Sequence, residues 1–280
     1  MTKPDLASGR GQVSRPEGAP RIKLAGVEHS YAGRGGTVKA LDTIDLTIQP
    51  GEFVSVVGTS GCGKTTLLRI VAGFVQASAG VVEVDGSPVT RPAPERGVVF
   101  QRASLYPWLS VAGNVEFGLK MRRMPRAERR ATARRYLDLV GLADFAEAAP
   151  YELSGGMQQR CQLARVLATE PPTVLMDEPF GALDALTRER LQAQLRTIWA
   201  AESRTVLFVT HSVEEAVLLS TRVIVLSPRP GRIVLDLPIA SNSEADLDAL
   251  RRSDGVLAAA EEVRHAIASH FQRNTSLRQA

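Results

Sequence analysis

Short apolar runs alternate with amphipathic segments along most of the chain. Four nearly continuous apolar runs are typical of buried parallel strands: 53–57, 174–176, 206–209 and 223–226. Four segments with helical spacing are predicted to be helices: 64–72, 154–169, 188–200 and 213–219. This alternation predicts an α/β protein with a parallel sheet.

Two parts of the chain depart from this alternation. Short β-rich runs are predicted to be strands at 22–27, 46–48, 81–84 and 97–100. The last two are assigned to a small antiparallel patch at 78–100. Residues 111–150 are predicted to be a mostly helical insert, because 126–140 is charged and amphipathic at helical spacing.

The two ends of the chain have their own character. Residues 1–20 are rich in Gly, Pro, Ser and charge and are predicted to form a flexible tail. Residues 237–280 are predicted to be a partly helical extension, with helical spacing around 256–267.

Composition excludes several classes of protein. With 44% hydrophobic and 23% charged residues in 280, the balance is that of a globular protein. A net charge of only +4 gives no clustered basic face, so no nucleic-acid partner is expected. No stretch reaches the roughly 18 apolar residues of a membrane span. Two distant cysteines match no metal spacing and indicate a reducing compartment.

The strongest chemical signal lies between the first buried strand and the helix after it. The motif is Gly58, Thr59, Ser60, Gly61, Cys62, Gly63, Lys64 and Thr65, followed by Thr66. Backbone N–H groups of such a turn point at a phosphate without Cβ clashes, and the helix adds its positive dipole end. Lys64 is expected to reach the β- and γ-phosphates, and the Thr65 hydroxyl to bind Mg²⁺. The alternative is a glycine-rich turn with an exposed lysine.

Cys62 occupies a special place in this motif. A helix N-terminus lowers the pKa of a thiol. The sequence therefore predicts that Cys62 reacts with maleimides and that bound ATP protects it.

A second signal is an apolar strand that ends in Asp177 and Glu178. Asp177 is expected near the Mg²⁺, through water, and Glu178 where a base can polarise an attacking water. An acidic pair at a strand end alone is more often a helix cap, so this interpretation depends on the phosphate-binding loop. Together the two motifs predict a P-loop nucleotidase.

A third motif begins the helix at 154–169. Ser154 is a good N-cap, and the two glycines after it leave bare N–H groups aimed at an anion. Residues 153–160 nearly match the signature of the ABC ATPase family, with Met157 where that family more often has glutamine. The chain resembles that family from about 22 to 236.

The resemblance implies roles for further residues. In that family the signature of one subunit caps the ATP held by the P-loop of the other, which assigns Ser154, Gly155, Gly156 and the interface residue Asp184 to nucleotide binding. Tyr31 sits where the family stacks an aromatic ring on adenine; a packed tyrosine is the alternative. Gln101 matches a glutamine that meets Mg²⁺ and the attacking water. His211 matches a histidine that contacts the γ-phosphate, whereas a lone histidine is usually structural.

The resemblance also implies a fold and an assembly. It implies a RecA-like α/β P-loop NTPase core with a small antiparallel β subdomain and a helical subdomain inserted at about 106–155, all within an ATPase domain at 21–236. Two copies are expected to sandwich two ATP molecules, with Mg²⁺. Transmembrane permease subunits and an extracytoplasmic solute-binding protein are the further partners expected, at the cytoplasmic face of the inner membrane.

A finer resemblance is to importers of taurine, alkanesulfonates and nitrate. The segments behind it are 95–101, 106–108, 114–119, 177–185 and 229–232. Residues 106–108 follow Gln101, where the family's permease docks, and an exposed aromatic ring there suits an interface; a buried core is the alternative. None of these segments contacts the solute, so the expectation of taurine rests on resemblance alone.

Two other classes share part of these motifs. A soluble ABC protein of translation or DNA repair usually has two cassettes in one chain or a long coiled-coil insert, whereas this chain has one cassette. A P-loop small-molecule kinase would not need the 154–156 signature and would work as a monomer.

Overall fold

A computed structural model describes residues 21–33, 36–202, 204–239 and 247–277. The predicted flexible tail at 1–20 lies outside the described residues. Within the described ranges, no helix combines the length and the apolar character that crossing a bilayer requires.

Strands and helices alternate along the described chain as predicted. The strands are β1 (Ile22–Gly33), β2 (Gly36–Ile48), β3 (Phe53–Gly58), β4 (Ala79–Val84), β5 (Ser87–Pro88), β6 (Arg96–Val99), β7 (Thr173–Asp177), β8 (Thr205–Val209), β9 (Arg222–Leu226) and β10 (Ile233–Pro238). The helices are α1 (Lys64–Ala72), α2 (Val111–Met121), α3 (Arg126–Leu139), α4 (Gly155–Ala168), α5 (Ala185–Glu202), α6 (Val213–Leu219), α7 (Leu247–Arg251) and α8 (Asp254–Leu277).

Six of these strands form the central sheet, in the order β10-β9-β3-β8-β7-β6. The pairs from β9 to β6 are parallel, and β10 is antiparallel to β9. Alternate residues of β3 point to opposite faces, and both Phe53 and Val54 are fully buried. Helices therefore cover both faces of the sheet, which explains why its strands read as continuous apolar runs.

The predicted antiparallel patch is only partly correct. β1, β2, β4 and β5 do form an antiparallel sheet, in the order β2-β1-β4-β5. The strand predicted at 97–100 is instead β6, which pairs in parallel with β7 so that Val99 lies opposite Met176. A Cβ on Gly97 would lie 2.6 Å from Pro171, so the bare glycine lets the segment leading into β7 approach. That pairing joins residues far apart in the sequence, which is why proximity along the chain assigned the strand wrongly.

The first hairpin is much longer than predicted. The runs at 22–27 and 46–48 are only the buried ends of β1 and β2, which continue to Gly33 and from Gly36. The pairing of β1 with β2 is interrupted by register shifts, so regular hydrophobic alternation does not reveal the full length of the strands. The additional length of β1 includes Tyr31, which therefore lies beyond the buried part of the antiparallel sheet.

The helical insert is built as the sequence indicated. α2 and α3 pack on α4, and their apolar residues share one core with Phe53 and Phe208. Buried Asn114 fixes the start of α2, since its Oδ1 accepts from Tyr106 N at 2.8 Å and its Nδ2 donates to Tyr106 O at 3.1 Å.

The last helix is longer than its sequence pattern predicted. α8 packs on α6 and β9 through the buried residues Ala260 and Val263, in a core shared with Val57 and Val217. Helical spacing identified only the part near 256–267, whereas the helix runs from Asp254 to Leu277.

Candidate functional site

Four parallel strands bring the predicted chemistry to one edge of the central sheet. β3 ends at the P-loop, β6 is followed by Gln101, β7 ends at Asp177, and β8 is followed by His211. Because parallel strands end on the same side, residues spread over more than 150 positions meet there. The carboxyl edge of an open α/β sheet is where such proteins bind ligands.

Glycine geometry shapes the P-loop around the lysine. Gly61 and Gly63 have φ of 75° and 109°, in the left-handed region that other residues avoid. A Cβ on Gly63 would lie 2.6 Å from Leu41. Lys64 Nζ donates to the carbonyl oxygens of Gly58 at 2.8 Å and Thr59 at 3.1 Å. The ammonium group is therefore held inside the loop, as its predicted phosphate contact requires.

The side chains of Thr65 and Asp177 contact each other directly. Thr65 Oγ1 donates to Asp177 Oδ1 at 3.0 Å, and Asp177 is only 5% exposed. Burial raises the pKa of Asp177, and the hydrogen bond from Thr65 opposes that rise. A hydroxyl and a carboxylate are the hard oxygen ligands that Mg²⁺ accepts beside phosphates and water. Among the described residues, no group of three or more His, Cys, Asp or Glu is placed to hold a metal ion.

Glu178 directly follows β7 and contacts residues at the carboxyl ends of the neighbouring strands β6 and β8. Its Oε2 accepts from Gln101 Nε2 at 3.2 Å and lies 3.2 Å from His211 Nδ1. Its own backbone N–H donates to Val209 O at 2.8 Å, which ties the end of β7 to β8. The predicted base, glutamine and histidine therefore form one cluster.

Tyr31 and the P-loop line the same cavity, of about 400 Å³. Tyr31 is 41% exposed, and its hydroxyl lies 3.2 Å from Thr66 Oγ1. Val38, its partner across the hairpin, lines the cavity too, as do Gln101 and Glu178. A ring left exposed here is available for stacking on a base. A volume of this size suits a ligand of nucleotide dimensions.

The signature residues lie outside this cavity. Ser154 caps α4 by accepting from Met157 N at 3.3 Å, and Gly155 has no atom near its Cβ position. Gly156 approaches the loop before α5, since a Cβ there would lie 3.2 Å from Ala182 O. Asp184 accepts from Thr187 N at 2.9 Å at the start of α5. The exposed N-terminal end of α4 and Asp184 thus lie on a surface separate from the chain's own P-loop cavity.

Two glutamines that sequence reasoning missed connect these two regions. Gln159 Nε2 and Gln162 Nε2 donate to Phe100 O at 3.0 and 2.7 Å, and Gln162 Oε1 accepts from Ser104 N at 2.9 Å. Both side chains are buried. Amides three residues apart on the inward face of a helix were the available signal, since buried polar groups need partners.

The predicted reactivity of Cys62 is wrong. Cys62 is 1% exposed and belongs to the core between α1 and the antiparallel sheet. Burial raises the pKa of its thiol despite the opposing effect of Lys64. Cys161 is buried as well, and burial raises its pKa to about 12. The sequence showed that Cys62 lies near the start of a helix, but it did not show that the side chain points into the core.

A larger cavity of about 530 Å³ lies between α5, α6 and α8, away from the P-loop. Its charged side chains neutralise one another: Arg264 pairs with Glu214 at 2.9 Å and Arg251 with Glu189 at 2.8 Å. Size alone does not make it the functional site, because none of the predicted nucleotide-binding residues lines it.

The chain is similar to known transporter subunits over most of its length. A family model described as "ABC transporter" matches residues 41–181. The taurine import ATP-binding protein TauB of Rhizobium johnstonii is 52% identical over 230 residues, which cover 81% of this chain and 85% of that protein. The nitrate import ATP-binding protein NrtD of Synechocystis sp. is 50% identical over 218 residues, covering 78% and 82%.

Solved structures share the fold. A dimeric structure of the ATP-binding cassette MJ0796 bound to ADP and Pi superposes with a TM-score of 0.72 at 33% identity, covering 79% of this chain and 99% of that one. The strand order, the P-loop and the acidic end of β7 define a P-loop nucleotide-binding protein with the predicted α/β fold. The chain belongs to the ABC transporter family, as an ATP-binding subunit that hydrolyses ATP.

Proposed function

We propose that this chain energises the import of a small organosulfonate or related anion, with taurine first and alkanesulfonates or nitrate next. The observation that carries this proposal is the similarity, along most of both chains, to proteins named for taurine import and nitrate import. No residue of the nucleotide site has chemistry directed at such a solute. The proposal therefore concerns which permease this subunit drives.

The residues predicted from the sequence have proposed roles in ATP hydrolysis. Tyr31 stacks on the adenine, the N–H groups of the P-loop bind the phosphates, and Lys64 neutralises them. Glu178 accepts a proton from the attacking water, and Gln101 and His211 orient that water and the γ-phosphate through their contacts with Glu178. These contacts hold the carboxylate in one orientation before substrate arrives.

Mg²⁺ is the proposed cofactor, with Thr65, Asp177 and Gln101 as the residues that hold it. When bound, the ion neutralises the charge that develops on the phosphates. Asp177 is held for this role by burial and by the Thr65 hydroxyl.

We propose a second copy of this chain as the first partner. Ser154, Gly155 and Asp184 are exposed and Gly156 is partly exposed, and all four lie outside their own chain's cavity, which suits residues that complete the site of another subunit. Bare N–H groups at the start of α4 would then meet the γ-phosphate held by the partner's P-loop. Closing this dimer on ATP would drive the permease.

The proposed permease contact lies next to Gln101. Trp108 is 74% exposed, whereas Tyr106 beneath it packs on Phe117 with ring centroids 4.6 Å apart. An exposed tryptophan next to packed aromatic side chains suits a protein–protein interface. Permease subunits docked there would hold the protein at the cytoplasmic face of the inner membrane, with an extracytoplasmic solute-binding protein delivering the solute.

ATP-dependent uptake of labelled taurine by the reconstituted complex tests this function. Competition by alkanesulfonates and nitrate, in the same assay, ranks the solutes. Uptake of an unrelated solute such as a sugar, with no response to any of these anions, would refute the solute class and leave the ATPase assignment intact.

A further inference from the structure

The loop between β9 and β10 reaches the same edge of the sheet as the P-loop. β9 is parallel to β3, and Leu226 at its end lies opposite Gly58. Residues 227–232 therefore leave the sheet beside the first glycine of the phosphate-binding motif. The strand order thus brings a fifth chain segment to the nucleotide site, in addition to the four that carry the predicted residues.

This loop is held against both β2 and the P-loop. Gly231 N donates to Ala40 O at 2.9 Å, and Asp42 N donates to Gly231 O at 3.0 Å, which joins the loop to β2. A Cβ on Gly231 would lie 2.1 Å from Cys62 O, so only glycine permits the approach to the P-loop. Arg232 pairs with Asp42. These contacts fix the backbone just after Arg229.

Arg229 directs its charge into the cavity. It lines the same space as Lys64, Tyr31 and Glu178, and its Nε donates to Gly61 O at 3.3 Å. Among the residues that the structure describes, Arg229 forms no ion pair, in contrast to the neighbouring Arg232. A guanidinium satisfied only by a P-loop carbonyl keeps several donors for an anion.

Resting on the nucleotide site proposed above, we propose that Arg229 binds the phosphate chain of the nucleotide, as a second cation beside Lys64. Guanidinium groups suit phosphate because their donors match its oxygens in a planar fork. Since Arg229 is exposed at the rim, solvent screens the contact and its effect on affinity is that of an exposed charge pair. Arg229 thereby positions the phosphates and takes no part in proton transfer.

The test measures ADP affinity of the full-length chain, diluted until monomeric, for Arg229→Gln and Arg229→Lys. Glutamine removes the charge but keeps a neutral donor, so a purely structural contact with Gly61 would tolerate it. We expect Arg229→Gln to weaken ADP about fivefold, the effect of an exposed ion pair, and Arg229→Lys to retain most of the affinity. The loss should shrink as salt rises, because ions screen the contact.

Arg130→Gln is the matched control. It removes the same charge from an exposed position on α3, far along the chain from the loop, and should leave ADP affinity unchanged. Unchanged ADP affinity in Arg229→Gln would overturn the proposal, as would a loss of affinity that does not depend on salt. Lys64→Ala and Tyr31→Ala identify which proposal has failed. If they also leave ADP affinity intact, the site itself is wrong; if they weaken it, only the role of Arg229 is.

Discussion

At the scale of single residues, Glu178 has a strained backbone conformation. Its φ of 45° lies in the left-handed region, which costs a non-glycine residue about 1–3 kcal/mol. The hydrogen bond from the Glu178 backbone N–H to Val209 O maintains this conformation. In this conformation the carboxylate faces Gln101 and His211. The strain therefore serves to orient the proposed base.

Lys64→Ala tests the phosphate site. We expect ATPase activity to fall by about a hundredfold or more, because the charge that stabilises the transferring phosphoryl group is lost. Circular dichroism should show an unchanged fold. Lys120→Ala, which removes an exposed lysine of α2, should keep full activity. Near-normal hydrolysis by folded Lys64→Ala would refute the assignment.

Glu178→Gln tests the proposed base. The amide keeps the shape of the side chain but cannot take a proton from water, so hydrolysis should slow by about 10²–10⁴-fold while ATP still binds. Size-exclusion chromatography with ATP should then reveal a closed dimer. Glu147→Gln, at an exposed position of the helical insert, should hydrolyse ATP normally. Fast hydrolysis by Glu178→Gln would exclude Glu178 as the base.

At the scale of elements, α4 joins two functional regions. Its N-terminus carries the signature residues, and Gln159 and Gln162, about one and two turns later, hold Phe100 O just before Gln101. Because a helix is rigid over this length, α4 links the loop at 101–104 to the signature residues. The link passes through buried hydrogen bonds, which are costly to leave unmade.

Gln162→Ala tests this connection. The substitution leaves Ser104 N without its partner, and we expect the free energy of unfolding to fall by about 1–3 kcal/mol. Urea denaturation measures the change. Gln76→Ala removes an exposed glutamine bond to Thr90 O, and it should change stability by less than about 0.5 kcal/mol. Equal small effects of both substitutions would show that the buried amide is dispensable.

At the scale of the whole molecule, three apolar cores of the described residues meet at the central sheet. One lies under the helical insert, one under α1 and the antiparallel sheet, and one under α6 and α8. The third core contains Val57, adjacent to the P-loop, and Val263 of α8. Helix α8, which packs on α6 and β9, thus shares a core with the strand that carries the phosphate-binding loop.

Val263→Ala tests how much α8 contributes to the fold. Val263 is fully buried, so losing two methyl groups should lower the free energy of unfolding by about 1–3 kcal/mol. Leu257→Ala, on the same helix at 54% exposure, should cost markedly less. Thermal melts of both variants provide the comparison. A Val263→Ala melt identical to that of the parent would mean that α8 does not stabilise the core.

Local patterns in the sequence determined much of this protein. Three short motifs could be recognised from a few residues each: the glycines before Lys64, the acidic end of β7 and the N-cap at Ser154. They are recognisable because the backbone geometry at each of them requires particular residue types. The buried strands were equally visible, since a sheet covered on both faces requires continuous apolar runs. From these patterns and the resemblance to a known family, the family and the candidate catalytic residues could be predicted, with Gln101 and His211 resting on the resemblance.

Only the tertiary structure decided how distant segments meet. It placed β6 in the parallel sheet, turned Cys62 into a core, paired Gln162 with Phe100 and brought Arg229 beside Gly61. Each of these contacts joins residues whose neighbours in sequence differ from their neighbours in space, or depends on which way one side chain points. Burial and charge at a site follow from packing, and packing is a property of the assembled elements.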